Sequence, residues 1–595
     1  MLQKNDVETD RSGSESLSVT GRCWDVRRRL SQDVFKVQQG IAPLLVQLLH
    51  NRGVCELEDV TDFLFGDAKT YDPFLMSGME EATARILRAV NHSERVCIYA
   101  DYDADGVTSC VVLTLTLQSL GIMPQPYFPN RRIEGYGLNE DAITRIAESG
   151  IELLISTDCG ANAVNEVELA LGQGMDVIVT DHHTVLEDLP AKAIALNPRN
   201  AEDPYPFPDL AGVGVAYKLA EALLRKQPSM EAITPESLMD LVALGTVADV
   251  VPLRGENRYF VVQGLQSINR VPRLGIAALM SKSHITLGEV LSSDLGFRIG
   301  PRINAAGRMD DARIAYKLLI EQDRQKVDGF AQQLEELNLS RQRATGEMLE
   351  AAEQFVDGNR PIFAYGEHWH PGVVGLVAGK LAEATGFPAF VASIHGDIVR
   401  GSVRAQEGFN IVEALASCSH ILDRYGGHAR AGGFTVARSR LFEMRDKVCA
   451  WWEDRGFVRT PPVLEVDCYL WPQSLNWDTL QLILELEPFG EGFRAPLFAM
   501  KEVTLSGWRT VGRDGLHLKP EFADFGEHVS VIWFWGGAYA SSLEMGERYD
   551  VCFKIRKSTY QGQSRLDMLI EDLRVTEIGR PATQESSSER ADTEG

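Results

Sequence analysis

Residues 95–106 read Arg-Val-Cys-Ile-Tyr-Ala-Asp-Tyr-Asp-Ala-Asp-Gly, and the fold is decided by what this stretch joins. Its first half is a continuous apolar run of strand length, the pattern of a strand covered on both faces in a parallel sheet. Its second half is a loop carrying three aspartates, followed by a helical run from Val107 to Leu120. The same order recurs twice. Glu152-Leu-Leu-Ile-Ser156 runs into Thr157-Asp-Cys-Gly160, and Met175-Asp-Val-Ile-Val-Thr180 runs into Asp181-His-His183. Helix-length segments separate the strands, which predicts an α/β domain of βαβ units. In such sheets the ligand site lies beyond the carboxyl ends of the strands, so three strands deliver acidic and imidazole groups to one edge. A further helical run, Leu238 to Asp249, ends on another aspartate.

The resulting cluster is Asp101, Asp103, Asp105, Asp158, Asp181, His182, His183 and Asp249. Carboxylates that converge repel one another unless cations neutralise them. Mostly oxygen donors with one or two imidazoles suit Mn²⁺ or Mg²⁺. Thiolates are absent apart from Cys159, which reads as a small packing residue. Asp103 and Asp105 face the same way if the loop is extended, and Asp158, from the middle strand, is placed to bridge two ions. Two ions ~4 Å apart clamp a phosphoryl group and generate hydroxide for in-line attack. Asp and Gly after strands also serve as turn formers and helix caps, and Asp181, directly before two histidines, is the member that reads most simply as a cap. Four such loops together read as a site. Arginines supply the complement: Arg131 and Arg132 in Asn130-Arg-Arg132, then Arg298, Arg302, Arg308 and Arg404, each with bidentate geometry for phosphate. Two Gly-rich loops, Arg400–Arg404 and Gly426–Gly433, allow backbone N–H groups to approach a phosphate.

At about 150 residues per domain, 595 residues imply about four domains. With 44% hydrophobic and 24% charged residues the chain is ordinary globular material, which excludes a mostly disordered protein. Lys plus Arg number 59 against 84 Asp plus Glu, a net charge of −25, so bulk electrostatics cannot hold it to nucleic acid; a local cationic groove or bound divalent metals can. Nine cysteines without a C-x-x-C pair exclude a zinc ribbon and a tidy disulfide framework, and imply a reducing cytoplasm. The most apolar stretch, Cys110–Met123, is shorter than the ~20 residues of a membrane span. Residues 1–24 read as a disordered polar leader without an apolar core, and 580–595 as a disordered tail.

From Arg324 to Phe355 apolar residues recur at helical spacing, predicting a helix that connects two bodies, and a second α/β segment runs from Pro361 to Trp452. After Pro461 the texture changes to period two: Leu464, Val466, Cys468 and Leu470 share one strand face, and Val551, Phe553 and Ile555 another. Short alternating strands over ~110 residues predict a small β-barrel or sandwich. Trp508, Trp533, Trp535 and Tyr560, beside Arg509, Lys554, Arg556 and Lys557, offer stacking surfaces among cations, as a single-strand binder requires. The same aromatics can equally fill the barrel core, Trp533 and Trp535 above all.

D-Y-D-A-D-G at 101–106, T-D-C-G at 157–160, D-H-H at 181–183 and G-T-V-A-D at 245–249 resemble the four motifs of the DHH phosphoesterases. More specifically the chain resembles the RecJ family, bacterial exonucleases that degrade single-stranded DNA 5′→3′. Further matches are P-N-R…G-Y-G-L (Pro129–Leu138), L-A-G-V-G-V-A (Leu210–Ala216) and R-I-G-P-R-I-N-A-A-G-R (Arg298–Arg308). H-P-G-V-V-G (His370–Gly375) and G-G-H-A-x-A-G-G (Gly426–Gly433) resemble the DHH-associated domain. The resemblance covers residues 25–575. It implies a DHH catalytic α/β domain at 25–320, a connecting helix at 321–358, a smaller DHH-associated α/β domain at 359–455 and an OB-like β-barrel at 460–575.

By position, the resemblance implies that Asp103, Asp105, Asp158, His182 and Asp249 ligate two Mn²⁺ or Mg²⁺ ions, with Asp101 a further acidic member. It implies that His183 meets the scissile phosphate, with Asp101 and Arg308 assisting the chemistry. Arg131, Arg302, Arg308, Ser402, Arg404, Gly427 and His428 would grip DNA, the terminal 5′ phosphate included. Ala405 departs from the pattern, which reads Ser after S-x-R. The implied activity is metal-dependent hydrolysis of single-stranded DNA from a 5′ end, releasing 5′-mononucleotides, in recombination and repair. A single strand would thread between the two α/β bodies while the barrel grips it. Implied partners are a single-stranded-DNA-binding protein and a RecQ-type helicase; a soluble cytoplasmic monomer with no membrane contact is expected. Two other readings of the motifs are a DHH phosphodiesterase acting on oligonucleotides or dinucleotides, and a non-catalytic Cdc45-like replication scaffold. Tyr99 stands where short-substrate relatives carry His, and no expected ligand is missing, so both are less favoured.

Overall fold

Val96–Ala100 (β1) is buried along its whole length, as a central parallel strand must be. The structure is a computed structural model and describes residues 17–576 apart from 39, 66–69, 132–133, 187–188, 229–232, 359, 407, 458–461, 526–528 and 561–562. Arg132, the expected tail and most of the expected leader therefore lie outside the described residues. After the aspartate loop comes Ala104–Ser119 (α1), buried on every side except at Gln118. That all-round apolarity, too short for a membrane, belongs to a helix clamped between the sheet and two further helices, Gly212–Lys226 (α2) and Met239–Ala248 (α3). Gln125–Tyr127 (β2), Leu153–Thr157 (β3), Asp176–Thr180 (β4) and Ile194–Leu196 (β5) complete an all-parallel sheet in the order β2-β1-β3-β4-β5. The carboxyl ends of β1, β3 and β4 are neighbours, which brings their three loops together.

The glycine- and arginine-rich stretch folds as Gly300–Met309 (α4). Next, Arg324–Glu353 (α5) runs for 30 residues. Its first half places Val327, Ala331 and Leu334 in the core around α1, and its second half places Met348 and Ala352 in another core, so one helix serves two bodies. The second body is a mixed sheet of Ile362–Glu367 (β6), Ala389–His395 (β7), Ile398–Arg404 (β8), Leu422–His428 (β9) and Ala431–Ala437 (β10), in the order β9-β10-β8-β7-β6. Only β6 and β7 are parallel. Val374–Thr385 (α6) packs over β7 and β8. Phe65–Thr460, with Glu487–Arg494, forms a single compact unit.

A second unit comprises the described residues within Met1–Leu64, Pro461–Leu486 and Ala495–Gly595. Its long strands are Phe498–Val511, Arg548–Tyr560 and Gln563–Val575, joined by His517–Phe522 and Val529–Ile532. Residues 25–64, expected at the head of the catalytic domain, pack in this unit instead. Cys23–Val26 pairs parallel with Val463–Val466, so residues 17–24, expected in the leader, are ordered as well. The reason is polar: Asp467 is buried, and Arg52 reaches it with two nitrogens at 3.0 and 3.2 Å while Asn51 donates to it at 3.1 Å. That carboxylate also ends the strand, so the run 464–470, expected as one strand, is two: Val463–Val466 and Cys468–Tyr469. Val551, Phe553 and Ile555 are buried together, but Cys552 between them is buried too, against Val466, Leu497 and Ala499.

Candidate metal centre

Asp103 caps α1, its carboxylate accepting the N–H groups of Asp105 at 3.0 Å and Gly106 at 3.1 Å. Asp105, buried in the first turn, receives the N-terminus of α2 through the N–H groups of Gly212 at 2.7 Å and Val213 at 2.8 Å. Glycine is required at 212, because a side chain there would lie 2.6 Å from Asp158 Oδ1. Asp101 and Asp158 close β1 and β3, both buried, and Oδ1 of each makes no hydrogen bond. Asp158 holds a left-handed φ of +60°, a strained conformation for a residue with a side chain. His182 Nε2 lies 3.1 Å from Asp158, 3.6 Å from Asp249 and 3.9 Å from Asp105, again without a hydrogen bond. Ligand atoms lie within 4.8 Å of one another in three groups: Asp101 with Asp103 and Asp158; Asp105 with His182 and Asp249; Asp158 with Asp181, His182 and His183. Asp158 and His182 each belong to two groups, which is the sharing a two-ion site needs.

The electrostatics run the same way. Burial first, and then the neighbouring carboxylates, push Asp101, Asp158 and Asp249 well above the ordinary carboxylate range. Burial and Asp103 carry Asp105 up to about 7 despite its two N–H donors. Burial, then the charge of His183, pulls His182 down to about 3, leaving the neutral imidazole that binds metals. Such a cluster of buried, mutually repelling acids with unpartnered lone pairs fits divalent cations by its donor chemistry.

Asp181 differs. Burial works against its charge, yet the His183 ring at 2.8 Å, the charges of both histidines and the Ala161 N–H at 2.8 Å hold it at about 2. It is thus more than a cap: it fixes His183 through Nδ1, turning Nε2 toward the hydroxyl of Tyr136 at 3.2 Å. In the sequence Tyr136 is only the tyrosine of G-Y-G-L, and neither contact can be read without the fold. Asn304 of α4, likewise unflagged, accepts the Ala104 N–H at 2.8 Å and ties the aspartate loop down. Cys159 is buried in the apolar cluster that includes Val167 and Val179, as a packing residue would be.

The arginines divide. Arg308 is drawn down to about 10 by burial and by Arg131, and contacts the Gly372 carbonyl at 3.4 Å. Burial and Arg131 lower Arg404 as well, and the Arg131 guanidinium lies 5.1 Å from the Tyr102 ring centroid. Three cations therefore repel one another beside the acidic cluster. A side chain at Gly375, in the first turn of α6, would lie 3.3 Å from both Ser402 Oγ and the Arg404 guanidinium, so these groups and the helix N-terminus form one cradle. Ala405 is buried, its N–H on the Arg430 carbonyl at 3.1 Å. Arg302, expected to grip DNA, is committed elsewhere: it meets Glu335 of α5 at 2.5 Å and the Arg298 carbonyl at 2.6 Å. Arg298 is bound to Asp294 at 2.7 Å and to the Ser283 carbonyl. Gly427 and His428 are exposed at the end of β9, and Gly427 carries φ +137°, where a side chain would strike the Ala431 carbonyl at 2.3 Å.

In the second unit Trp533 is a core residue stacked on Tyr539 at 5.2 Å, whereas Trp535 is exposed. The side chain of Tyr560 lies outside the described residues. Lys554 is paired with Glu571 at 2.7 Å. Arg509, Lys519, Arg556 and Arg565 line a cavity of about 430 Å³ together with Asp567, which lies 3.5 Å from Arg556. Among the described residues no helix is long and apolar enough to cross a membrane.

Comparison with known proteins follows this division of the chain. The DHH family N-terminal domain matches residues 95–246, the DHHA1 domain 358–454 and the RecJ OB domain 466–572. The single-stranded-DNA-specific exonuclease RecJ of Bacillus subtilis is 36% identical over 93% of the chain and 71% of its own length. Its Escherichia coli namesake is 32% identical over 92% and 98%. The crystal structure of RecJ with Mn²⁺ from Thermus thermophilus superposes with a TM-score of 0.80 at 28% identity, over 93% of this chain and 80% of that one. A Mg²⁺ complex from the same source scores 0.74 at 26% identity.

Proposed function

This chain belongs to the RecJ family of single-stranded-DNA-specific exonucleases, and we infer from its metal centre that it hydrolyses single-stranded DNA from the 5′ end, releasing 5′-mononucleotides. The observation that carries the reading is the adjacency of two opposite clusters: buried acids sharing Asp158 and His182, and three arginines crowded beside them. A scaffold would have no use for unpartnered buried carboxylates, and a dinucleotide phosphodiesterase none for an OB barrel.

Asp103, Asp105, Asp158, His182 and Asp249 would hold the ions, with Asp101 completing the acidic wall. Held there, two Mn²⁺ or Mg²⁺ ions would supply Lewis acidity toward the phosphoryl oxygens and an attacking water. His183, oriented by Asp181 and with Nε2 beside the Tyr136 hydroxyl, would meet the scissile phosphate and can pass a proton there. Arg308 faces charge developing on the phosphoryl oxygens. Arg131, Ser402, Arg404 and the N-terminus of α6 would take the terminal 5′ phosphate, which sets the cut one nucleotide in. Gly427 and His428 would meet the strand further along, and the cation-lined cavity of the barrel would hold it without regard to sequence. Work in recombination and repair suits this activity. A cytoplasmic monomer is the form we assign, with a single-stranded-DNA-binding protein and a RecQ-type helicase as partners; the free cysteines suit a reducing compartment.

The test is digestion with Mn²⁺ of single strands labelled at the 5′ or the 3′ end, beside a blunt duplex. Early release of 5′-labelled mononucleotide with the duplex intact is the expected result. Cleavage of dinucleotides alone, or early release of the 3′ label, would overturn the assignment.

A further inference from the structure

Beside the cradle lies a concavity that the reaction above leaves unused. Its volume is about 400 Å³, and its walls include His368, Trp369, His370, His395 and Arg400, with no carboxylate among the lining residues. That volume is within the range that encloses a small organic molecule, about 300–1,000 Å³. Four ring systems and one planar guanidinium suit a nucleobase, whose face stacks on either without regard to sequence.

The fold joins this pocket to the cradle. On β8 the side chains of Val399 and Val403 are buried, so Arg400, Ser402 and Arg404 share the opposite face. At strand rise Arg400 stands about 7 Å from Ser402. The loop that carries His368, Trp369 and His370 leads directly into α6, whose first turn borders Ser402 and Arg404. Ser393 Oγ donates to the Trp369 carbonyl and lies 2.9 Å from His395 Nε2, and the Gly372 N–H donates to His370 Nδ1 at 3.1 Å, so the walls are held. Arg308, under the charge of Asp103, donates to the Gly372 carbonyl at 3.4 Å, and the Gly372 N–H donates in turn to His370 on the pocket wall. With the cradle holding the 5′ phosphate as read above, a group in that pocket would stand on the 5′ side of it.

We propose that the pocket takes the 5′-terminal nucleoside of a strand ending in a hydroxyl, so that the first internucleotide phosphate fills the cradle and the cut falls one nucleotide further in. This rests on the cradle reading given above. Water adds to phosphorus at the second phosphodiester, and the P–O3′ bond breaks. O3′ leaves as a hydroxyl with one proton of the water, the other proton goes to solution, and the shortened strand keeps a 5′ phosphate. The first product is one dinucleoside monophosphate; every later product is a 5′-mononucleotide.

Oligonucleotides with and without a 5′ phosphate are digested by the full-length protein with Mn²⁺, and the small products are identified by mass spectrometry. Hydroxyl-ended strands should each yield one dinucleoside monophosphate, and phosphorylated strands none. Arg400→Gln and His368→Ala, checked for native melting, should shift the first product toward free nucleoside by about tenfold and leave mononucleotide release from phosphorylated strands within about twofold. Free nucleoside as the first product of the unmodified protein, no cleavage of hydroxyl-ended strands, or variants with an unchanged product ratio would each overturn the proposal. If phosphorylated strands fail to give mononucleotides, the cradle reading itself is wrong and the subsite goes with it.

Discussion

Asp158 concentrates three costs in one residue: a left-handed backbone, full burial and an oxygen without a hydrogen bond. Each is of the order of 1–3 kcal/mol in isolation, and divalent cations would offset the last two. Asparagine tolerates the left-handed region and removes the charge, so Asp158→Asn separates the two roles. In chelator the variant is expected to melt about 1–2 °C above the unmodified protein, because it removes the repulsion of Asp158 with Asp105, Asp103, Asp249 and Asp101. In Mn²⁺ the order should reverse, since ligand held a hundredfold above its Kd is worth about 2.7 kcal/mol to the protein that still binds it. Nuclease activity should fall about a thousandfold, the loss of several kcal/mol of charge stabilisation. A variant that melts lower in chelator yet keeps its Mn²⁺ shift would refute the two-ion account. At this scale the candidate ligands were legible because each follows an apolar strand or closes a helical run. The role of Asp181 was not: its bond to His183 spans two residues, but which oxygen meets which nitrogen depends on the loop's path.

Elements decide how closely those ligands can approach. The N-terminus of α2 donates two N–H groups to Asp105 because position 212 has no side chain to strike Asp158. Gly212→Ala keeps every candidate ligand and changes only the first residue of α2, yet its methyl would push the helix end away. Mn²⁺ affinity is expected to fall about 10–100-fold, the usual effect of misplacing the groups that orient a ligand, and calorimetric titration reads it directly. Unchanged affinity would mean the helix end is not part of the site. The parallel order of the sheet and the existence of α5 were visible as periodicity, but the direction of each arginine was not. Arg302 and Arg308 lie on one helix six residues apart, with similar neighbours in sequence. Only the packing of α4 on α5 assigns the first to Glu335 and leaves the second beside the acids. Arg302→Gln should therefore lower stability by about 2 kcal/mol, as a largely buried ion pair loses one partner, while KM for single-stranded DNA stays within about twofold. A large rise in KM without loss of melting temperature would restore its expected role in gripping DNA.

At the scale of the whole molecule, local sequence reading fails where the chain returns to itself. Period-two alternation marked the barrel after Pro461, but nothing in residues 17–64 announces that they complete it some 400 residues later. The link is a buried pair, Arg52 with Asp467, reinforced by Trp24, whose indole N–H reaches Asp572 at 2.9 Å and whose ring lies 4.7 Å from the Arg574 guanidinium. Cut off from Arg52, Asp467 would be a buried carboxylate without its cation, a defect of about 3–5 kcal/mol. The paired strand Cys23–Val26 and the cover that Trp24 and Val26 give Val466 and Cys552 would be lost with it. Set against a typical domain stability of about 5–15 kcal/mol, those losses should leave a fragment of residues 461–576 unfolded on its own. Joining residues 17–64 ahead of that fragment through a flexible linker should restore cooperative melting and single-strand binding together, read by circular dichroism and fluorescence anisotropy. A fragment that folds and binds DNA without the N-terminal segment would make residues 17–64 an ornament of the barrel rather than part of it.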